Sequence, residues 1–233
     1  MRQRAFKVKL ARYRSEILMC AFVAEIIASP LADSHRYFGG FLAVLLLMQL
    51  LLASTYMASR RIVKLVVLPV AGVWLLARLV EAFSDPRHFY AHLAPIAGFL
   101  LSCATLWAIF DRFDWIERIN RSVISEAFIC YLVIAIAFSQ LFWGFSRLIP
   151  HCFNQEIPTG QSGTFLYFSM ITLSGVGYGG IIPINPYVRL IAALENMIGI
   201  FYIAVVVARL VSSYRAKSHH KETESRSETS RMA

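Results

Sequence analysis

The sequence predicts an all-α membrane protein with six transmembrane helices. Two observations predict this. First, the 233 residues are 58% hydrophobic, with a mean hydropathy of +0.58, whereas soluble domains are about 45–50% apolar. Second, charge is segregated, so that long apolar stretches alternate with short charged ones. A helix needs about 20 mainly apolar residues to cross the hydrocarbon layer. The candidate spans are 17–31, 39–58, 62–83, 91–110, 124–145 and 187–211.

Taken in order, residues 1–14 form a basic segment before the first span. Span 17–31 is short and carries Glu25, so a true span and an interfacial helix both fit it. An intramembrane carboxyl asks for a functional reading, but a paired partner or a place near the membrane edge explains Glu25 more simply. A cleaved signal peptide fits poorly, because no clear small-residue cleavage site follows and further spans do. Span 39–58 is apolar throughout. Span 62–83 carries Arg78 and Glu81, whose three-residue spacing predicts an ion pair on one helix face. A voltage sensor needs basic residues repeated through a span, because gating charge must move in the field. Span 91–110 has no lysine or arginine, so strong voltage gating is not expected. Residues 15–110 therefore read as a four-helix membrane module.

The stretch 111–121, beginning Asp111-Arg112-Phe113-Asp114-Trp115-Ile116-Glu117-Arg118, reads as an amphipathic linker helix lying at the membrane face. A second membrane module covers 122–214. The tail 215–233 is rich in Ser, Glu, Lys, Arg and His and poor in apolar residues, which predicts disorder. It is too short for a nucleotide- or cation-binding domain.

Lysine and arginine placement predicts the orientation. Arg2, Arg4, Lys7, Lys9, Arg12 and Arg14 precede the first span. Arg60, Arg61 and Lys64 lie in the second loop, Arg112, Arg118 and Arg121 in the fourth. Arg215, Lys217, Lys221, Arg226 and Arg231 follow the last span. With six spans, all four groups fall on one side, so both termini are expected in the cytoplasm and the protein in the plasma (inner) membrane. The net charge of +9 follows from this rule and suits contact with anionic lipid head groups. It requires no nucleic acid.

The four cysteines make neither a disulfide framework nor a metal motif. Cys20, Cys103 and Cys130 lie in apolar segments, where thiols act as small hydrophobes. Cys152 lies on the outer side, where a free thiol or a bridge between subunits both fit. His219-His220 read as solvated.

The densest information lies in Thr172-Leu173-Ser174-Gly175-Val176-Gly177-Tyr178-Gly179-Gly180. Glycine at every second position permits backbone of alternating handedness. Such backbone can turn successive carbonyls to one side, which a regular strand cannot. A loop of this composition alone is common. Its surroundings are not: a plausible short helix at 167–172 precedes it, and Ile181-Ile182-Pro183 and an apolar helix follow.

Val176-Gly177-Tyr178-Gly179 in this setting resembles the selectivity filter of potassium channels. The resemblance covers roughly 124–214 and is most specific at 165–183. It implies a re-entrant pore helix, a selectivity-filter loop and a tetrameric pore, since one strand cannot enclose an ion. The filter carbonyls of Gly175, Val176, Gly177, Tyr178 and Gly179 would replace the water shell of potassium. Val176 and Tyr178 would point away from the pore and pack on the scaffold behind. Tyr167, Phe168, Thr172, Ser174 and Gly180 would support the filter. Gly199, in the middle of the last span, would be a gating hinge or a plain packing glycine, and Glu195 would support the pore loop or pair with Arg189. No cofactor is implied. The implied partners are permeant potassium, membrane lipid and three further copies of the chain.

Two positions depart from the family pattern, which runs Thr-x-Thr-Thr before Val-Gly-Tyr-Gly-Asp. Thr172 and Ser174 match the first two hydroxyls, but Gly175 replaces the third and Gly180 replaces the aspartate. Gly175 keeps a carbonyl and loses a hydroxyl, while Gly180 removes an outer carboxylate. A softer filter is expected, with threonine at 175 and aspartate at 180 restoring selectivity or current. Potassium conduction is the main expectation, and the alternative is a degenerate pore subunit with a structural or regulatory role. An enzyme or transporter is disfavoured, because the sequence offers no intramembrane catalytic cluster and no repeat of broken helices.

Overall fold

The computed structural model describes residues 14–34, 36–57, 61, 63–83, 93–112, 121–157 and 162–232. Within them lie seven α-helices: α1 (Arg14–Ser34), α2 (Arg36–Met57), α3 (Leu68–Phe83), α4 (Leu93–Arg112), α5 (Arg121–Leu148), α6 (Ser162–Leu173) and α7 (Pro186–Met232). A π-helical turn, Val63–Val67, leads into α3. The described parts of all six predicted apolar segments are helical. Among the described residues, three stretches are long and apolar enough to cross a membrane: Leu93–Phe110, Ile124–Leu148 and Pro186–Arg209. Val44–Ser54, Leu65–Val80 and Ser162–Leu173 are apolar but shorter. The linker predicted at 111–121 falls largely outside the described residues.

Local chemistry keeps these helices intact where the sequence threatens them. Pro30 lies within α1 and cannot donate a proton to the carbonyl of Ile26, four residues earlier. The Ser29 hydroxyl donates to that carbonyl instead, at 2.8 Å. Three buried hydroxyls elsewhere are satisfied by the preceding turn of their own helix: Ser102 donates to the Gly98 carbonyl at 3.0 Å, Thr105 to Leu101 at 2.9 Å and Ser139 to Ile136 at 2.7 Å.

The core is centred on α5, which packs against α4, α6, α1 and α7. The buried positions of α4 include Ala94, Ala97, Gly98, Leu101, Ser102, Ala104, Thr105 and Ala108, mostly small side chains. Small residues let helices approach closely where no water drives them together. At Gly98 an added Cβ would lie 2.7 Å from Gln140 Oε1 and 2.9 Å from Trp74 Nε1. That glycine is therefore what lets the α3 and α5 side chains meet over α4. α1 is not peripheral: it packs on both α5 and α6, burying Leu18, Phe22 and Glu25.

Arg78 makes ring contacts that its predicted pairing did not include. Its guanidinium lies over the rings of Trp74, at 5.6 Å, and Trp143, at 5.0 Å, a cation–π arrangement. Trp143 also receives Arg147 at 4.6 Å. The Glu81 side chain lies outside the described residues.

The tail predicted to be disordered is instead the continuation of α7, to Met232. Low hydrophobicity removes a driving force for burial, but it does not forbid a helix. Glu222 and Arg226, in that order and four apart, have the spacing and polarity that support one.

Candidate functional site

The short helix α6 is the platform of the site. It begins five residues before the stretch predicted for it and runs for 12 residues, about 18 Å, too short for a hydrocarbon layer of about 30 Å. Four aromatic rings fix it. Phe168 meets Phe142 of α5 edge-on at 4.9 Å and Phe153 at 5.4 Å, and Phe153 meets Phe165 at 5.7 Å. Edge-to-face contacts of this kind orient rings as well as bury them. Phe168 is buried in this cluster. Tyr167 is 46% exposed in the single chain, because the next position on a helix faces about 100° away.

At Leu173 the helix stops. Gly175 takes a φ of +75°, the left-handed conformation that commonly ends helices, and its amide donates to the Thr172 carbonyl at 3.0 Å. Ser174 caps locally, its hydroxyl donating to the Met170 carbonyl at 2.7 Å. Thr172 likewise donates to the Phe168 carbonyl at 2.8 Å. The alternation then continues, with Gly177 at φ +54° and Gly179 at +82°. Val176 and Tyr178 between them do not have positive φ. One amide reaches back to the helix, from Gly177 to the Ile171 carbonyl at 3.1 Å.

The loop from Ser174 to Gly180 is exposed. Val176 is 51% and Tyr178 76% accessible in the single chain.

The far end of the loop is clipped by a segment that the sequence did not mark. Asn154 donates through Nδ2 to the Gly180 carbonyl at 3.3 Å and accepts through Oδ1 from the Ile182 amide at 2.9 Å. Its own amide donates to the Ile182 carbonyl at 2.8 Å. Phe153 and Pro183 form a β-bridge, and the Ile184 amide donates to the Cys152 carbonyl at 2.7 Å. A lone asparagine in a loop carries no sequence signal for this job. Cys152 itself is buried and free of disulfide, and burial pushes its thiol up from the ordinary range.

α7 closes the site from below. Its buried residues are Val188, Ala192, Glu195 and Gly199, with Tyr202 partly buried. These form one stripe at alternating four- and three-residue spacing. Two of them touch α6 one turn apart. Glu195, wholly buried, hydrogen-bonds through Oε1 to the Ser169 hydroxyl. At Gly199 an added Cβ would lie 1.9 Å from the Leu173 carbonyl oxygen. The helix runs through Gly199 unbroken, and the geometry there is that of close packing. Glu195 does not pair with Arg189, which faces out. Tyr202 donates to the Ala127 carbonyl of α5 at 2.5 Å.

So α5, a short helix, a glycine loop of alternating handedness and a long apolar helix are brought together between residues 121 and 209. Residues 126–216 match the family model of an ion channel. No curated protein and no solved structure matches the chain. The match takes in nearly all of α5, all of α6 and the loop, and the membrane-length part of α7. It supports an ion-channel pore in this part of the chain, and with the long apolar helices it indicates an integral membrane protein.

Proposed function

We propose that the protein is a potassium-selective channel of the plasma membrane, with six spans per chain, both termini in the cytoplasm and a pore made by four copies. The observation that carries this reading is the alternation of φ at Gly175, Gly177 and Gly179 at the end of a short buried helix. Alternating handedness directs successive carbonyls to one side. Four such strands around an axis would offer rings of oxygens in place of an ion's water shell.

The residue roles follow. Carbonyls from Gly175 to Gly179 bind the ion, and backbone chemistry alone supplies them. Phe168, Thr172 and Ser174 hold the strand to α6, and Tyr167, Val176 and Tyr178 face neighbouring copies. Their exposure in one chain is in keeping with a scaffold supplied by the next. The outward faces of α7, with Met197, Phe201 and Val205 exposed, suit a cavity, a neighbour or lipid. Bending of α7 at Gly199 would pull directly on Leu173, so any hinge there acts on the filter's platform. The reading calls for passive passage of ions and no enzyme chemistry.

Rubidium or thallium uptake into liposomes holding the purified protein tests the proposal. The expected outcome is uptake that sodium competes with poorly. The oxygen side chains lost at Gly175 and Gly180 favour a second reading, a pore subunit that assembles but conducts little alone. Uptake absent in the natural protein and present in Gly180→Asp would support that second reading. Absence from both, in intact tetramers, would overturn conduction altogether.

A further inference from the structure

The hydroxyl of Ser169 lies between two oxygens. One is the carbonyl of Ala135 on α5, at 2.7 Å. The other is Oε1 of Glu195 on α7. All three residues are buried, Ser169 and Glu195 completely. A serine hydroxyl has one hydrogen and two lone pairs. The Ala135 carbonyl can only accept, so it must take that hydrogen if the contact is a hydrogen bond. The second contact then needs a hydrogen from Glu195.

We propose that Glu195 is held as a neutral carboxylic acid that donates to Ser169, which in turn donates to the Ala135 carbonyl. The relay ties α7, α6 and α5 together directly beneath the glycine loop and makes Glu195 a positioning residue for the candidate filter.

The surroundings agree with a neutral group. An ionised carboxylate buried without a cation is costly. Oε2 has no hydrogen-bond partner among the described residues, which a neutral carbonyl oxygen tolerates far better than a charged one. Among the described residues no cation stands opposite. α6 carries no charged residue. On α5, Glu126 and Arg147 are nine and twelve positions from Ala135, roughly 13 and 18 Å along the axis, and Arg147 stacks on Trp143. On α7, Arg189 and Arg209 face outward. α1, which also packs on α6, contributes Glu16 and Glu25 and no described basic side chain. The uncharged titratable neighbours on α5 and α7 include Cys130, which is buried, and Tyr131 and Tyr202, whose rings lie 5.6 Å apart.

Register strengthens the assignment. Glu195 and Gly199 are one turn apart on α7, and Ser169 and Leu173 one turn apart on α6. The close approach at Gly199 and the relay at Glu195 therefore set the same helix crossing. A carboxylate there would place two acceptors against one hydrogen and push the helices apart.

The test is an infrared difference spectrum of the full-length protein in liposomes at neutral pH, natural against Glu195→Gln. The expected result is loss of one protonated-carboxyl C=O band. Glutamine keeps a donor to Ser169, so Glu195→Gln should retain assembly and ion uptake within about twofold. Glu195→Leu, which fills the space and cannot donate, should lower uptake about tenfold or more, as expected for a broken buried hydrogen bond. Loss of a carboxylate band in place of a protonated one would overturn the proposal. So would equal damage from Gln and Leu. The uptake arm rests on the channel reading, whereas the infrared arm does not. A protein that passes no ion but loses the protonated band refutes conduction and leaves the relay standing.

Discussion

At Gly175 and Gly180 the same change of residue type has different consequences. Both lack an oxygen side chain that the potassium-channel pattern would supply. Gly175 sits at φ +75°, which β-branched residues rarely adopt. Gly180 has ordinary backbone with nothing within 4 Å of an added Cβ. Threonine at 175 is therefore expected to strain the helix end, at a cost of about 1–3 kcal/mol, and to lower thermal stability in detergent. Aspartate at 180 should fold normally and raise cation uptake. A Gly175→Thr protein as stable as the natural one would show that the loop readily adopts another backbone. Cys152 makes a second residue-scale case. Its thiol is pushed up by burial, so the folded protein holds the proton more tightly than the unfolded chain. The resulting stability is fully present below the ordinary thiol range and is lost as pH rises through the raised value. Since the thiolate is the nucleophile, alkylation of Cys152 in the folded protein should be slow at neutral pH and rise at higher pH than for an exposed thiol. Mass-spectrometric labelling across pH checks this, and rapid modification at neutral pH would contradict it.

Elements carry the next layer. α6 is too short to stand alone and is held on every side: by Phe142 and Phe153, by the relay through Ser169, and by the backbone contact at Gly199. The last is the least forgiving, because the atom opposed to a new side chain is a backbone oxygen 1.9 Å away. Gly199→Ala must move one helix away from the other. Overpacking of this kind costs about 1–3 kcal/mol, and the displacement would reach the loop within two residues of Leu173. The expected outcome is a lower melting temperature with altered ion uptake. Gly72, which has nothing within 4 Å of an added Cβ, supplies the control: Gly72→Ala should change neither. If Gly199→Ala behaves like Gly72→Ala, the two helices are not in the close contact described.

The whole molecule buries α5 and leaves α7 largely uncovered. Only 11% of the Pro186–Arg209 window is buried within the chain, against 67% of Ile124–Leu148. A helix apolar on all faces asks for apolar surroundings. Lipid can cover part of that surface, but lipid does not cover a loop of exposed carbonyls, which must be satisfied by protein or water. Four copies around the loop answer both needs. Native mass measurement in mild detergent is expected to give a tetramer, and a stable single chain or dimer would count against the pore. Glu25 on α1 and Trp74 on α3 each carry a buried polar atom lacking a partner among the described residues.

Much of this was legible from composition and pattern. Apolar segments of membrane length announced helices, because hydrocarbon leaves the backbone no other partner than itself. Alternate glycines announced left-handed positions, because no other residue adopts them freely. The short helix was foreseen in kind, though not in length. What one-dimensional reading missed depends on residues distant in sequence. Asn154 reaches across 26 residues to Gly180, and Ser169 joins residues 34 positions before it and 26 after. Tyr167 and Phe168 are adjacent aromatics, yet one packs and the other faces out. The turn of the helix separates their directions, and which neighbours stand there is a matter of how the helices pack. Gly199 looked like any glycine in a membrane helix until the Leu173 carbonyl was found against it. Patterns of type and spacing reflect the solvent and the backbone, which act on every residue locally. Close approach and shared hydrogens depend on which surfaces meet, and that follows from packing in three dimensions.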